Sequence, residues 1–203
     1  MIVIVDAVRT AMGGFQGSLS SLSAPQLGSV VIQETIKRAG IAATDVDEVI
    51  FGCVLPAGLK QAPARQAMRL AGVPDTVGAT TINKVCGSGM KAVMQAADAI
   101  KAGSANIIIA GGMESMSNAP YLLDKARGGL RMGHGKIIDH MFQDGLEDAE
   151  SGLSMGVLAQ EMADKKGYTR EQQDAYAIAS LQKAVDAVNN GYFKDEIAAV
   201  TVS

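Results

Sequence analysis

The 203-residue sequence predicts an α/β fold in which a parallel sheet is covered by helices. Apolar runs of strand length alternate with segments whose apolar residues recur at helical spacing, through about the first 112 residues. The composition is that of a globular protein, with 48% hydrophobic and 19% charged residues, so the chain can bury a core beneath such helices. Ligands of folds of this kind bind at the carboxyl ends of the strands, where we expect a site.

The predicted elements follow one another in the order β-α-β-α-β-α-β. The four strands are expected within residues 2–8, 47–55, 80–85 and 105–112, and the first of them is a continuous apolar run. The three helices between them are expected over residues 24–39, 62–72 and 88–102. Ser23 is the expected N-cap of the first helix, and Gly40 is its expected stop. This order implies parallel strands that are joined by helical crossovers.

The rest of the chain predicts a different organisation. Residues 113–150 are rich in Gly, Met, His and charge, and a long loop of this kind is usually functional or part of an interface. Two helices are expected after it, one over about 152–166 and one from Thr169 to about Asn189. Thr169 forms a capping box with Gln172. An apolar strand begins shortly before the last residue, which suggests an incomplete polypeptide.

Charge and composition argue against several classes of partner. The net charge is −3, aromatic residues make up 4% and there is no long basic run, so no nucleic-acid partner is expected. No apolar run has transmembrane length, and the first residues lack the features of a signal peptide, so no membrane association is expected. Two cysteines, Cys53 and Cys86, make no disulfide framework. They favour a reducing compartment, and we expect a cytoplasmic protein.

Cys86 is the main candidate for a reactive group. In the stretch 82–93 (INKVCGSGMKAV) it lies between the end of a strand and the start of a helix. A helix N-terminus favours the thiolate form, and the Cys86 N–H could donate to an oxyanion. Gly87 and Gly89 leave room for a substrate, as in the strand–turn–helix arrangement of a nucleophile elbow. The residues alone leave two interpretations open, a nucleophile or an ordinary thiol in a packed glycine turn.

The remaining candidates are Cys53 and two histidines. Cys53 has apolar neighbours and is expected to be an inert, buried thiol. The usual base for a cysteine nucleophile is histidine, but His134 and His140 lie in the glycine-rich segment. Both are expected to be exposed loop residues. Their spacing is not that of metal ligands on a helix and no cysteine is near, so no zinc site is expected.

Several motifs, in the order in which they occur, resemble those of the thiolase family, and within it the acetyl-CoA acetyltransferases. The resemblance runs along almost the whole chain. It is carried by VDAVRTAMGGFQGSL (5–19), VLPAGLKQAPARQA (54–67), INKVCGSGMKAV (82–93), IIIAGGMESMSNAPY (107–121), SGLSMGVLAQEMA (151–163) and TREQQDAYAIASLQKA (169–184). The cysteine motif followed by GGMESMS is the most specific part. A ketoacyl synthase, which also has a cysteine at an elbow, is a further alternative that these two motifs disfavour.

The resemblance implies a thiolase-like fold with two similar α/β halves and a loop domain inserted in the first. Residues 1–117 would form most of the first half, and residues 118–203 part of the loop domain. A tetramerisation-type loop is implied at about 119–140, so the expected partners include further copies of the chain in a homotetramer.

The resemblance also implies roles for individual residues. Cys86 would attack an acyl-CoA thioester and become acylated, and a second acetyl-CoA would then yield a 3-ketoacyl-CoA, acetoacetyl-CoA in the simplest case. Thiolysis is the reverse path. Leu146 and Met155 match positions that line the pantetheine and acyl pocket. Ser154 matches a position where many biosynthetic members carry His, which leaves the acyl-length preference open. Coenzyme A thioesters are substrates, and the family uses no metal or prosthetic group.

The family's activating histidine and second catalytic cysteine belong to the second half of the fold. We therefore expect these 203 residues alone to be inactive. The alternative to an enzyme in its own right is a catalytically incomplete fragment or split subunit. Such a chain would act as a scaffold and would need the second half from elsewhere.

Overall fold

The computed structural model describes residues 1–202, which form two compact units. The first unit contains Met1–Gly145 and the short stretch that begins at Ala198, and the second is Leu146–Ile197. The division predicted at residue 118 follows the family resemblance and stays a prediction.

The first unit is built around a parallel sheet. The strands of this unit are β1 (Arg9–Thr10), β2 (Glu48–Gly52), β3 (Gly78–Ile82), β4 (Ile108–Gly112), β5 (Tyr121–Leu122) and β6 (Ile138–Asp139). Its helices are α1 (Ala24–Ala39), α2 (Pro63–Leu70), α3 (Ser88–Lys101) and α4 (His140–Gly145). The main sheet has the order β3-β2-β4 with all strands parallel, which confirms the predicted α/β fold. β5 and β6 form a separate antiparallel pair.

The second unit consists mainly of two helices, α5 (Met155–Lys166) and α6 (Arg170–Asn189). The last strand of the chain, β7 (Ile197–Ala198), begins at the final residue of this unit. Both helices were predicted, and so was the capping box, in which Thr169 Oγ1 accepts from the Gln172 N–H at 3.3 Å. Every residue of α5 and α6 is at least partly exposed. Across residues 1–202, no helix combines the length and apolar character needed to cross a membrane.

Strand β2 is buried on both faces of the sheet. On one face Val49 packs with Ile32 of α1 and Met68 of α2. On the other face Ile50 packs with Ala92 of α3. Because burial of each large apolar side chain contributes about 1.5–3 kcal/mol, these contacts determine which side of the sheet each helix covers. The residues that end β2 and start α3 are thereby brought together.

Helix α1 begins and ends where the sequence predicts. The Ser23 N–H donates to Gln26 Oε1 at 2.8 Å, which satisfies a donor ahead of the first turn. Gly40 follows the helix in the left-handed conformation, with φ 66°. A residue with a Cβ is disfavoured in this conformation, so the chain leaves the helix at a glycine.

The prediction of a strand over residues 2–8 is wrong. These residues are extended but form no ladder, and the only strand nearby is the two-residue β1. The side chains of Val3, Ile4 and Val5 are 61%, 78% and 72% exposed. An apolar run becomes a buried strand only when neighbouring strands pair with its backbone groups, and within residues 1–202 no strand pairs with residues 2–8.

The loop between β2 and α2 contains left-handed residues at Gly58 (φ 78°), Lys60 (φ 66°) and Ala62 (φ 48°). Glycine adopts this conformation freely, whereas the Cβ of Lys or Ala makes it costly. The Gln66 side-chain amide donates to the Leu59 carbonyl at 2.6 Å and holds the loop in this shape. The loop therefore has strained backbone at Lys60 and Ala62, which glycine at these positions would relieve.

We expect the substitution Lys60→Gly to raise the free energy of unfolding by about 0.5–1 kcal/mol, because it removes the left-handed strain at the cost of some chain entropy. Urea denaturation measures the change. The matched control is Lys101→Gly in the last turn of α3, where glycine is expected to lower stability by about 0.5–1 kcal/mol. Changes of the same sign at both positions would contradict the strain at Lys60.

Candidate active site

A cleft of about 330 Å³ opens at the carboxyl end of the parallel sheet. It lies between the residues that follow β2 and β4 and the first residues of α3. Its lining consists of Gly52, Val54, Val85, Cys86, Ser88, Gly89, Gly112, Met113 and Glu114. This is the edge of the sheet at which the sequence predicts a site.

Cys86 lies in this cleft with an exposed side chain. The sequence predicts a strand that runs to Val85, but β3 ends at Ile82, so a turn separates the strand from the cysteine. The Gly87 N–H donates to the Lys84 carbonyl at 3.0 Å within this turn. Helix α3 then begins two residues after Cys86, at Ser88, where its start was predicted.

The residue before Cys86 has a strained backbone. Val85 has φ 47°, which is unfavourable for a β-branched residue and costs on the order of 1–3 kcal/mol. Its N–H donates to Asn83 Oδ1 at 2.8 Å. A conformation of this kind persists only where the surrounding contacts hold it, and such positions cluster at functional sites.

Ser88 supplies two of these contacts. Its Oγ accepts from the Lys84 N–H at 2.8 Å and donates to the Val85 carbonyl at 2.6 Å. The Ser88 residue is only 4% exposed. The sequence did not predict a role for this side chain, although a hydroxyl in the first turn of a helix is a known partner for nearby backbone groups.

The close approach of β2 to α3 depends on Gly52, the last residue of the strand. A Cβ at this position would lie 2.5 Å from Ser88 Cβ and 2.8 Å from the Ser88 carbonyl carbon. These distances are too short for any side chain, so only glycine fits here. The missing side chain allows the start of α3 to rest directly on the end of the sheet.

Glu114 ties together the loops that follow β2 and β4. Its carboxylate accepts from the Val54 N–H at 2.8 Å and from the Leu55 N–H at 3.0 Å. Because Glu114 also lines the cleft beside Cys86, it stabilises one wall of the candidate site. The motif GGMESMS contains this residue, but its role became evident only from the contacts.

Cys53 is a buried thiol, as predicted, and is 1% exposed. Its Sγ lies 3.7 Å from Glu114 Oε1. Burial, and then the negative charge of Glu114, raise the pKa of Cys53 to about 12. The two cysteines of the chain therefore differ in solvent exposure, since Cys53 is buried and Cys86 is exposed in the cleft.

Iodoacetamide is expected to alkylate Cys86 and to leave Cys53 unmodified in the folded chain near neutral pH. Alkylation needs an accessible thiolate, and Cys53 is buried with its pKa raised to about 12. Peptide mass spectrometry after timed labelling measures each site. In the matched control, urea unfolds the chain and both cysteines label. Faster labelling of Cys53 in the folded chain would contradict this assignment.

The raised pKa of Cys53 makes stability depend on pH. Between pH 9.0 and about 12, the unfolded chain has lost a proton that the folded chain keeps. The free energy of unfolding should therefore fall as pH rises through this window, by about 1.4 kcal/mol per pH unit from this thiol. Urea titrations from about pH 8 to 11 should show a shallower fall for Cys53→Ala than for the unaltered chain. Equal slopes would contradict the role of this thiol.

His140 is buried and not an exposed loop residue, so that prediction is wrong, whereas His134 is exposed as expected. His140 Nδ1 lies 2.5 Å from Asp144 Oδ2, and Nε2 accepts from the Ala57 N–H at 3.4 Å. An imidazole with its proton on Nδ1 satisfies both partners. Composition alone could not reveal this contact, because Ala57 is 83 positions away in the chain.

The three predicted substrate-binding residues lie together in the second unit. Ser154 is the N-cap of α5, and its Oγ accepts from the Val157 N–H at 3.4 Å. The Met155 N–H donates to the Leu146 carbonyl at 2.8 Å. The side chain of Met155 is exposed, and those of Leu146 and Ser154 are partly exposed. Their roles stay predictions.

Within the part of the chain that the structure describes, no group of three or more His, Cys, Asp or Glu side chains could hold a metal ion. The cleft offers one thiol, one carboxylate and a serine hydroxyl, together with backbone groups at the start of a helix. Such a set suits nucleophilic chemistry at Cys86.

Comparison with known proteins identifies the family. Residues 2–203 match the family model of the thiolase N-terminal domain. Acetyl-CoA acetyltransferase of Pseudomonas aeruginosa is 54% identical over 201 residues, which cover 99% of this chain and 51% of that protein. The protein of the same name from Escherichia coli is 54% identical over 201 residues, covering 98% and 51%. Acetyl-CoA acetyltransferase 2 of Arabidopsis thaliana is 52% identical over 202 residues, covering 100% and 50%.

The chain therefore spans about half the length of the curated relatives it matches. The family match covers almost every residue of the chain. The chain belongs to the thiolase family and corresponds to its N-terminal domain.

Proposed function

We propose that this chain carries the acyl-accepting half of a thiolase active site and that Cys86 is its nucleophile. The observation that carries the proposal is the exposed Cys86 thiol in a cleft at the carboxyl end of the sheet, beside the start of α3. The names of the relatives support acetyl-CoA as the acyl donor.

In the proposed step the Cys86 thiolate attacks the thioester carbonyl of acetyl-CoA. A bond forms between Sγ and the acyl carbon, the bond from that carbon to the CoA sulfur breaks, and CoA leaves as a thiolate that takes up a proton. Backbone N–H groups at the start of α3 and at Cys86 would stabilise the oxyanion. The α-carbon of a second acetyl-CoA, after losing a proton to a base, would then attack the acyl carbon. The bond from that carbon to Sγ would break and restore the Cys86 thiolate, and thiolysis would run the same steps in reverse.

Leu146, Ser154 and Met155 are proposed contacts of the pantetheine arm and acyl group. The partial exposure of Leu146 and Ser154 and the exposed thioether of Met155 leave them free to touch a ligand. A homotetramer is proposed on the same family resemblance, and size-exclusion chromatography with light scattering tests it.

A second candidate function is that of a catalytically incomplete subunit, which becomes acylated but does not turn over. It is favoured by the lining of the cleft, which contains no histidine among residues 1–202. His140 does not supply one, because Asp144 and Ala57 already occupy its ring nitrogens. The proton transfers of a full cycle would then depend on groups from elsewhere.

Intact-mass measurement after incubation with acetyl-CoA tests both candidates. We expect the chain to gain the mass of one acetyl group and to release an equal amount of CoA, with the acetyl group on the peptide that contains Cys86. Cleavage of acetoacetyl-CoA by added CoA is measured in parallel. Acetylation without cleavage supports the incomplete subunit, sustained cleavage supports the complete enzyme, and the absence of acetylation would refute both.

A further inference from the structure

Two observations at the turn before α3 concern the Ser88 hydroxyl. It bridges the Lys84 N–H and the Val85 carbonyl, at 2.8 and 2.6 Å. Between these groups lies the left-handed backbone of Val85, with φ 47°. The two hydrogen bonds close a ring around the strained residue, which precedes Cys86 directly.

We propose that Ser88 is a positioning residue for Cys86, acting as a clamp on the strained turn. The proposal rests on the proposed function, because it concerns acyl transfer to the Cys86 thiol. The Val85 carbonyl and the Cys86 N–H belong to one planar peptide group and point in opposite directions. By donating to this carbonyl together with the Ser88 backbone N–H, which lies 3.1 Å from it, the hydroxyl fixes the direction of the Cys86 N–H and the position from which the Cys86 side chain leaves the backbone.

Burial makes the clamp effective. Ser88 is 4% exposed, so water does not compete freely for the two backbone groups that its hydroxyl serves. The end of β2 also limits its movement, since Gly52 lies so close that even one added carbon would meet Ser88 Cβ at 2.5 Å. The hydroxyl is therefore held against the turn by the sheet below it.

If Ser88 acts as a clamp, removing its hydroxyl should slow acyl transfer to Cys86 and leave the solvent accessibility of the Cys86 thiol unchanged. Without the hydroxyl, the Lys84 N–H loses this acceptor and the Val85 carbonyl keeps the Ser88 backbone N–H as a donor, at 3.1 Å. The left-handed conformation of Val85 and the direction of the Cys86 N–H are then held less firmly. Attack on an acyl carbon needs an aligned thiolate and an oxyanion donor, whereas alkylation by iodoacetamide needs only an accessible thiolate. Glycine at position 85 adopts a positive φ without strain, so it should reduce the need for the clamp.

The test uses 4-nitrophenyl acetate as the acyl donor, because this ester does not depend on coenzyme A binding. The Cys86 thiolate forms a bond to the acetyl carbon, the bond to the nitrophenolate oxygen breaks, and nitrophenolate is released and counted. Ser88→Ala, Val85→Gly and the double variant are compared with the unaltered chain, and the acetylated peptide is located by mass spectrometry. The matched control is Ser29→Ala, which removes a hydroxyl that donates to the Gln26 carbonyl at 2.7 Å on α1.

We expect Ser88→Ala to slow acetylation of Cys86 about tenfold while alkylation by iodoacetamide stays within about twofold of the unaltered chain. The double variant should recover to within about threefold of Val85→Gly alone, because the two positions are coupled through one turn. Ser29→Ala should match the unaltered chain in both reactions.

Several outcomes would overturn the clamp. They are an unchanged acetylation rate in Ser88→Ala, an equal fall in acetylation and alkylation, no recovery in the double variant, and no acetylation of Cys86 by the ester in the unaltered chain. Acetylation by the ester but not by acetyl-CoA would refute the proposed function. In that case the rates at which 4-nitrophenyl acetate acetylates Cys86 in the Ser88 variants still test whether Ser88 acts as a clamp.

Discussion

Replacing Cys86 with serine is expected to lower acetyl transfer from acetyl-CoA to the chain by at least about 10³-fold, because a hydroxyl without an adjacent base is a far weaker nucleophile than a thiolate. The exposed side chain and the geometry of the turn leave room for serine, so the fold should be preserved. The rate at which the intact chain gains the mass of an acetyl group measures the effect.

The matched control for this substitution is Cys53→Ser. Cys53 is buried outside the lining of the cleft, and a serine there can still donate to Glu114, the partner of the native thiol. We expect its acetylation rate to stay within about threefold of the unaltered chain. An equal loss of acetylation in both variants would show that the effect does not arise from a nucleophile at position 86.

The substitution Gly52→Ala is expected to lower the free energy of unfolding by about 1–3 kcal/mol, as other insertions into packed cores do. The added carbon would lie 2.5 Å from Ser88 Cβ and 2.9 Å from the Gly89 N. These atoms belong to the first turn of α3, so relief requires the helix to move away from the sheet. Urea denaturation measures the loss of stability, and acetylation of Cys86 should slow in the same variant.

Gly78→Ala provides the comparison for Gly52→Ala. Gly78 begins β3, and a Cβ there would meet nothing closer than Glu48 Cγ at 3.8 Å. Its stability should remain within about 0.5 kcal/mol of the unaltered chain. If Gly52→Ala proves as stable as Gly78→Ala, the close approach of β2 to α3 does not constrain position 52.

The helices could be predicted because their signals are local. Ser23 caps the start of α1 and Gly40 caps its end, through contacts with residues only three or four positions away. Thr169 caps the start of α6 in the same way. The alternation of apolar runs also predicted the parallel sheet, since strands buried on both faces, such as β2, must be covered by helices.

The details of the site depend on contacts that the sequence does not display. The sequence predicted that β3 would run to Val85, but the Ser88 hydroxyl competes for the backbone of Lys84 and Val85 and turns the chain before the cysteine. Long-range contacts likewise bury His140, which the glycine-rich composition around it predicted to be exposed. Cys86 itself could be identified, because a cysteine between a strand and a helix with flanking glycines is a local pattern.

The position of β2 has a consequence for the dynamics of the chain. Both of its edges are paired, with β3 and with β4, and both of its faces are covered by helices. Its amide hydrogens can exchange with solvent only when the whole first unit opens, so they should be the slowest to exchange. Because Gly52 at its end supports the turn of Cys86, fraying of peripheral segments should leave the thiol in place until the unit unfolds globally.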